Sequence, residues 1–199
     1  MHDICTGLNP EQRRAVETTE GPLLIQAGAG SGKTKTLTHR VAYLVQTGRA
    51  TPYNILAVTF TNKAAREMRS RVAALLGESA DNRSFMPYIG TFHAICVRLL
   101  RMDGEHIGVP RDFVIYDETD RQSVIKRIMK EQHVDDKTYA PRLIVSLISS
   151  AKNDGIGPEE YGDLAHSPAT DIVADIYPRY QKALHEAKAL DFDDLISKT

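Results

Sequence analysis

A glycine-rich stretch near the N-terminus has the residue types and the spacing that bind phosphate. Residues 27–34 read AGAGSGKT and follow the short apolar run PLLIQ. Gly28, Gly30 and Gly32 permit positive φ angles, so backbone N–H groups can converge on an anion at the start of the helix that follows. The Lys33 ammonium can neutralise nucleotide phosphates, and the Thr34 hydroxyl can ligate the Mg²⁺ that bridges them. The stretch therefore predicts a nucleotide site.

The first position of this loop departs from the usual glycine. Ala27 ends the apolar run, and an alanine fits there as long as the residue keeps β geometry. Lys33 and Thr34 are the predicted catalytic residues, and Thr34 is the predicted metal ligand. The alternative, a strand-to-helix turn without a ligand, gives no reason for Lys-Thr at the helix start. The predicted nucleotide contacts cover the whole loop: Ala27, Gly28, Ala29, Gly30, Ser31, Gly32, Lys33 and Thr34.

Strand and helix signals alternate over the first 110 residues. Short apolar runs predict strands in PLLIQA, NILAVTF and MPYIGTF. Helical spacing follows each run, over residues 33–48, 62–77 and about 91–102, with Gly48 and Gly77 at the ends of the first two. Such alternation builds a parallel sheet with helices on both faces.

The pattern changes from about residue 111. After one more strand-like run, FVIY, four segments carry helical spacing: RQSVIKRIMKEQ, YAPRLIVSLISSAK, PEEYGDLAH and DIVADIYPRYQKALHEAK. We therefore predict a nucleotide-binding part at residues 1–110 and a mostly helical unit from residue 111. The last ten residues, LDFDDLISKT, are expected to begin another helix.

Composition and charge limit the class of protein. With 42% hydrophobic and 26% charged residues, the chain has the composition of a soluble globular protein. No run approaches the roughly 18 apolar residues of a membrane span. Two isolated cysteines fit neither a zinc site nor a disulfide framework, so we expect a cytoplasmic location. The net charge of −1 hides an asymmetry, because 13 Lys and Arg face 9 Asp and Glu in residues 1–110, against 12 and 17 in the remainder.

Five motifs in a fixed order give a specific resemblance. They resemble the Q motif, motifs I, Ia and Ib and a further marker of superfamily 1 helicases: LNPEQRRAV (8–16), AGAGSGKT (27–34), VTFTNKAAREM (58–68), GTFHAICVRLLR (90–101) and LDFDDLI (190–196). The chain looks like the N-terminal part of a UvrD/PcrA/Rep-type 3′→5′ DNA helicase. The resemblance implies an α/β P-loop NTPase (RecA-like) parallel sheet, incomplete here, with a helical inserted subdomain called 1B at residues 111–189. It also implies that residues 190–199 return to the domain formed by residues 1–110. It also implies ATP, Mg²⁺, single-stranded DNA and single-strand/double-strand junctions as ligands.

The resemblance assigns base recognition to two side chains outside the loop. Gln12 matches the glutamine that reads adenine, and its amide can donate and accept at once. A structural alternative stays open, because Asn9, Pro10 and Gln12 also form a capping-box pattern. Lys35 stands where the family usually has an arginine that packs on the base. A lysine keeps the charge but loses the flat guanidinium, which puts base selectivity in doubt.

The resemblance also places single-stranded DNA against the ends of two predicted strands. Phe60 in VTFTN would stack on bases, since aromatic stacking tolerates any sequence. The alternative is that Phe60 belongs to the core, as phenylalanine at a strand end usually does. The implied DNA contacts are Thr59, Phe60, Thr61, Asn62, Thr91 and His93.

Two acidic stretches compete for the role of metal ligand. Asp117 and Glu118 end the run FVIY, yet the family comparison puts this run at the start of 1B, and Thr119 with Gln122 offers a local capping box. The acids of LDFDDL, namely Asp191, Asp193 and Asp194, have no predicted strand before them, because HEAKAL reads as helix. We interpret them as an acidic first helical turn.

In the helicases that the chain resembles, the acidic metal-binding motif, the arginine fingers and a second motor domain all follow LDFDDL. We therefore expect a fragment that binds Mg-ATP weakly and hydrolyses it poorly, whose parent unwinds DNA in repair or replication. An open sheet edge is expected to favour self-association or completion by another chain. Two alternatives remain: a non-catalytic P-loop module that binds single-stranded DNA or a partner, and a P-loop kinase, which leaves GTFHA and VTFTNKAA unexplained.

Overall fold

The computed structural model of the chain describes residues 3–79, Asn82 and residues 85–199. Their contacts divide the chain into two compact units, Met1–Ile95 and Cys96–Thr199. The chain is of mixed α/β class with small parallel sheets. In the described part, no helix is both long and apolar enough to cross a bilayer. The subdomain boundaries at 110 and 189 remain a prediction.

The first unit alternates helices with two short strands. Its elements are α1 (Pro10–Glu17), α2 (Lys33–Gln46), a 3₁₀ turn (Pro52–Asn54), β1 (Ala57–Thr59), α3 (Asn62–Leu76), β2 (Ile89–Thr91) and the start of α4 (Phe92–Asp103). The strands pair in parallel, with Ala57 opposite Ile89 and Thr59 opposite Thr91. The core beneath them consists of Val41, Ile55, Ala57, Met68, Val72, Met86 and Ile89.

The predicted strand PLLIQA is wrong for this structure. Residues 22–28 have no regular secondary structure, and Leu24 is 82% exposed. A buried strand needs a hydrogen-bonding neighbour and covered faces. The described sheet of this unit consists of β1 and β2 alone, and neither pairs with residues 22–28. Within the described residues, the apolar run therefore lacks a strand partner.

The helices of the first unit start where their capping residues allow. Asn9 caps α1, and its side chain and that of Gln12 form the predicted capping box, with Pro10 in the first turn. Thr61 caps α3, with its hydroxyl accepting from the Ala64 N–H. The predicted stop at Gly77 is confirmed by its left-handed φ of 70°.

The second unit is mostly helical, as the spacing predicts. After α4 and a 3₁₀ turn (Gly104–Ile107), its elements are β3 (Val114–Tyr116), α5 (Glu118–Glu131), α6 (Pro141–Asn153), α7 (Pro158–Leu164), α8 (Pro168–Glu186), β4 (Ala189–Asp191) and α9 (Phe192–Ser197). Its main core joins the inward faces of α5, α6 and α8 around Ile125, Ile148 and Tyr180. Each of these helices is amphipathic, so burial of one face accounts for the packing.

Two local predictions for this unit are wrong. A strand does precede the acids of LDFDDL, because α8 ends at Glu186 and Ala189–Asp191 pairs in parallel with β3. The cap of α5 is Asp117 with Asp120, and not Thr119 with Gln122. The Asp117 carboxylate accepts from the N–H groups of Thr119 and Asp120 at 2.8 and 2.9 Å, which a threonine two positions later cannot do.

Candidate functional site

The loop at residues 27–32 turns sharply into α2. Gly30 and Gly32 have φ angles of 75° and 85°, in the left-handed region that favours glycine. Gly28 lies outside that region, so the predicted positive φ is wrong at this position. The Gly28 carbonyl instead accepts from the Ser31 N–H at 3.3 Å and from the Ser31 hydroxyl at 2.7 Å. These bonds close the loop on itself.

The N-terminus of α2 faces the loop without a side-chain cap. Gly32 occupies the capping position, and the first helical bond runs from the Thr36 N–H to the Gly32 carbonyl at 2.9 Å. Among the described residues, no backbone or capping group accepts from the N–H groups of Lys33, Thr34 and Lys35. Unsatisfied N–H groups and the positive end of the helix dipole make such a terminus an anion site.

The two predicted catalytic side chains are exposed at this terminus. The Lys33 ammonium donates to the carbonyls of Ala27 and Gly28, at 2.9 and 2.7 Å. Both acceptors are neutral, so the charge of the ammonium is not compensated by an acid. Thr34 is also exposed, and it follows Lys33 in the first turn of α2. Uncapped N–H groups, a free cationic charge and a hydroxyl fit a phosphate with its Mg²⁺.

Gln12 and Lys35 both contact backbone near the loop. The Gln12 side chain accepts from the Asn9 N–H at 3.1 Å and donates to the Ser31 carbonyl at 3.0 Å. The structural alternative for Gln12 is therefore confirmed, and its contact with adenine stays a prediction. The Lys35 ammonium donates to the Gly7 carbonyl at 2.6 Å. Through these bonds the N-terminal segment is attached to the loop and to α2.

Phe60 lies at the end of β1 with 91% of its surface exposed. The alternative that it belongs to the core is therefore wrong. Its ring lies 5.6 Å from that of Phe92, measured between centroids, with an angle of 43° between the planes. Phe92 directly follows β2 and is 42% exposed. Sequence reasoning missed Phe92, although a Thr-Phe pair stands at the end of both β1 and β2.

The polar residues predicted to contact DNA surround this aromatic pair in the chain. Thr59 donates to the Thr61 carbonyl at 3.1 Å, and Thr61 accepts from the Ala64 N–H at the start of α3. Thr91 accepts from the Ala94 N–H at 3.3 Å, in the first turn of α4. Asn62 is exposed, and His93 is half-buried. The structure thus brings these residues to the starts of two helices that follow neighbouring parallel strands.

A buried charge cluster in the second unit joins the acids of LDFDDL to two helices. The Lys152 ammonium lies 2.7 Å from an Asp191 carboxylate oxygen and 3.0 Å from one of Asp194. The Tyr180 hydroxyl donates to Asp191 at 2.9 Å. Arg121 lies 2.8 Å from Asp193. We call Arg121, Lys152, Tyr180, Asp191, Asp193 and Asp194 the charge cluster.

Burial and neighbouring charge act in opposite directions on the acids of this cluster. Burial disfavours the charged form of Asp191, but the Lys152 ammonium, the Asp194 N–H and the Arg121 charge together outweigh this effect and lower the pKa of Asp191. For Asp194 burial dominates, and its pKa is raised. The N–H of Asp194 donates to the Asp191 side chain at 2.8 Å, which starts α9. The interpretation as an acidic first turn is therefore correct but incomplete.

Sequence reasoning missed the cations of the charge cluster. Lys152 continues the buried face that Ile144, Ile148 and Ala151 form on α6, and Arg121 lies one turn before the buried Ile125 on α5. A cation at an apolar-face position is the signal that could have identified both, because buried charges are paired. Within the described ranges, no group of three or more His, Cys, Asp or Glu is arranged to hold a metal.

The chain is similar to known proteins over its whole length. The model of the UvrD/REP helicase N-terminal domain matches residues 8–199. The chain is 52% identical over 198 residues to the ATP-dependent DNA helicase PcrA of Bacillus subtilis (strain 168). It is 48% identical over 199 residues to the ATP-dependent DNA helicase PcrA of Staphylococcus aureus (strain NCTC 8325 / PS 47). The matches cover 100% of this chain but 26% and 27% of these relatives, so the chain spans about a quarter of their length.

Proposed function

Because the chain belongs to the UvrD/REP helicase N-terminal domain family, we propose that it binds ATP and single-stranded DNA for an ATP-dependent DNA helicase. We assign it a RecA-like P-loop sheet that further strands complete, with residues 111–189 as the helical 1B subdomain between 1–110 and 190–199. The whole protein, in this proposal, is cytoplasmic and moves 3′→5′ along one strand in DNA repair or replication. Its substrates are single strands and their junctions with duplex.

The observation that carries the nucleotide proposal is the uncapped start of α2 beside an uncompensated lysine. Phosphate oxygens can accept from the N–H groups of Lys33 and Thr34, and the Lys33 ammonium can exchange two neutral carbonyls for an anion. The Thr34 hydroxyl would ligate Mg²⁺. The loop from Ala27 through Ala29 and Ser31 to Gly32 would surround the phosphates.

Gln12 and Lys35 are the proposed base contacts. Each already uses its polar atoms on backbone, so adenine recognition requires Gln12 to exchange the Ser31 carbonyl for the base edge. ATP, when bound, supplies the phosphoanhydride bond whose cleavage drives the motor. This chain's own residues bind and orient the triphosphate.

The second ligand, single-stranded DNA, is proposed to lie on the strand ends of the first unit. Phe60 offers an exposed ring for base stacking, and the starts of α3 and α4 offer N–H groups to phosphates. Thr59, Thr61, Asn62, Thr91 and His93 would contact the backbone of the strand. Parallel sheets bind ligands at this carboxyl edge.

We further propose that the chain by itself hydrolyses ATP poorly. Phosphoryl transfer needs a metal held by an acid. In the described part of the chain, the acids that follow strands are engaged elsewhere: Asp117 caps α5, and Asp191 pairs with Lys152. The same observation favours the second candidate, a non-catalytic P-loop module that binds single-stranded DNA or a partner. A steady-state assay of ATP hydrolysis in the presence of single-stranded DNA tests both candidates, because rapid turnover would contradict each of them.

A titration with a fluorescent ATP analogue and Mg²⁺ tests the nucleotide site. We expect Lys33→Ala to weaken binding by at least about tenfold, since a charge-assisted contact is lost. Lys126→Ala, an exposed lysine of α5, is the matched control and should bind like the unmodified chain. Equal affinity in all three proteins would refute the proposal. Titration with an oligothymidylate at several salt concentrations tests DNA binding, which should weaken as salt increases.

A further inference from the structure

The parallel register of the first unit places two phenylalanines side by side. Thr59 and Thr91 are opposite each other as the last residues of β1 and β2. Phe60 and Phe92 directly follow these two strands, so both lie at the carboxyl edge of the sheet. Their ring centroids are 5.6 Å apart, within the range of attractive aromatic pairs.

The two rings are not equivalent. Phe60 is 91% exposed, whereas Phe92 is 42% exposed and begins α4. Because the planes are tilted by 43°, one flat base cannot stack on both rings at once. The ring of Phe60 is the one that offers its faces to solvent. The ring of Phe92, anchored at the helix start, is the one that can support a neighbour.

We propose that Phe92 is a positioning residue for single-stranded DNA, which holds the Phe60 ring in the orientation that stacks on an unpaired base. This inference rests on the proposed DNA-binding function of the same strand ends. A phenyl ring with almost complete exposure has freely accessible rotamers, and stacking must fix one of them. The contact with Phe92 fixes it beforehand, which lowers the entropic cost of binding.

The backbone around the pair supports this role. Thr61 caps α3 one residue after Phe60, and Thr91 accepts from the Ala94 N–H one residue before Phe92. Both rings are therefore attached at capped helix starts, where the backbone is held by hydrogen bonds. The N–H groups of the same helix starts can bind the phosphates on either side of a stacked base.

A double-mutant cycle on the unmodified 199-residue background tests the inference. Affinity for a short fluorescein-labelled oligothymidylate is measured for Phe60→Leu, Phe92→Leu and the double variant. We expect about 5- to 100-fold weaker binding for Phe60→Leu. We expect about 2- to 10-fold weaker binding for Phe92→Leu, the magnitude of an aromatic pair. The double variant should bind like Phe60→Leu alone, because Phe92 acts through Phe60.

Controls separate a positioning role from a general structural one. Phe92→Tyr should bind DNA as tightly as the unmodified chain, because tyrosine keeps the aromatic ring. The salt dependence of binding should be the same for Phe92→Leu as for the unmodified chain, because the phosphate contacts persist. Tyr53→Leu, an exposed aromatic of the Pro52–Asn54 turn in the same unit, should leave DNA affinity unchanged. Circular dichroism should confirm that each variant is folded.

The outcomes distinguish this inference from the function on which it rests. If the unmodified chain does not bind the oligonucleotide, the proposed DNA-binding function fails. If Phe60→Leu weakens binding but Phe92→Leu does not, the inference alone is refuted. An independent loss in the double variant would likewise refute it, since Phe92 would then contact the base itself. In an oligonucleotide that carries an adenine analogue, stacking quenches the fluorescence of the analogue. This quenching should be weaker when the oligonucleotide is bound to the Phe92→Leu variant than when it is bound to the unmodified chain.

Discussion

Two lysines, one in each unit, lie within hydrogen-bonding distance of oxygen atoms in opposite electrostatic settings. Lys33 is exposed, and its ammonium contacts only the neutral carbonyls of Ala27 and Gly28. The Lys152 side chain is 3% exposed, and its ammonium lies between two carboxylates. The charge of Lys33 is available to an incoming anion, whereas that of Lys152 is neutralised inside the fold. The partners of a cation thus separate a binding role from a structural one.

The largest effect on stability is expected from removing the buried cation. Lys152→Ala leaves Asp191 and Asp194 buried without their main counter-charge, which should lower the free energy of unfolding by about 3–5 kcal/mol. Urea denaturation followed by circular dichroism measures this loss. Lys126→Ala, an exposed lysine of the same unit, should change the value by less than about 0.5 kcal/mol. Similar stability of both variants would mean that the charge cluster does not hold the second unit together.

The pH dependence of stability should report the same cluster. Because the folded pKa of Asp191 is lowered below its ordinary 3.8, its contribution is complete above that value and is lost as pH falls through the lowered pKa. Asp194, whose pKa is raised, acts with the opposite sign and favours the folded state as it takes up a proton. Urea denaturation between pH 7 and pH 2 should therefore show a smaller acid loss for Asp191→Asn than for the unmodified chain. An identical acid profile for the two proteins would contradict this assignment.

A substitution of Gly32 in the loop should lower the stability less than Lys152→Ala does, but it should also weaken binding of the ATP analogue. Gly32→Ala places a side chain at a φ of 85°, where its Cβ would lie 2.8 Å from the Gln12 amide nitrogen. The left-handed strain alone is about 1–2 kcal/mol. Gly48→Ala is the matched control, because Gly48 has a φ of 69° and open space around it. Both variants should lose similar stability, and only Gly32→Ala should lose affinity for the ATP analogue.

Local signals predicted most of the helices and the loop. The capping box of Asn9 and Gln12, the stop at Gly77 and the helices of the second unit depend on residues close in the chain, which a sequence displays directly. The loop is similarly local, since its glycines and Lys33 all lie within residues 28–33. One local error, Thr119 in place of Asp117 as the cap of α5, arose because Asp117 was considered only as a metal ligand, although Asp117 and Asp120 also have capping-box spacing.

Features that depend on distant partners were not predictable in the same way. The segment Ala189–Asp191 forms a strand because β3 lies beside it, whereas the run PLLIQA has no such neighbour and forms none. A sequence does not show which segments will pair as strands. The charge cluster joins Arg121 and Lys152 to acids that lie 39 or more residues later. Its acids were visible, but their partners became identifiable only once the helices were packed. The aromatic pair of Phe60 and Phe92 likewise depends on the register of two strands.

Asp117 tests whether an acid after a strand serves the fold or a metal. Its carboxylate caps α5, so Asp117→Ala should lower the free energy of unfolding by about 1 kcal/mol. Asp117→Asn should retain most of the stability, because asparagine is also a good cap. The affinity for the ATP analogue with Mg²⁺ should not change in either variant. A large loss of magnesium-dependent affinity would move Asp117 into the nucleotide site.

The smallest effect on stability, and the sharpest contrast with Lys152, is expected at Lys33. Its ammonium is exposed and bonds to two carbonyls that water can satisfy, so Lys33→Ala should change the free energy of unfolding by less than about 0.5 kcal/mol. The same variant should lose affinity for the ATP analogue, whereas Lys152→Ala, studied below its unfolding temperature, should keep it. The free energy of unfolding and the affinity for the ATP analogue should be measured on both variants, because the two lysines are expected to give opposite results. If Lys33→Ala were strongly destabilised, its ammonium would serve the loop itself, and its two carbonyl bonds would no longer indicate a site that awaits an anion.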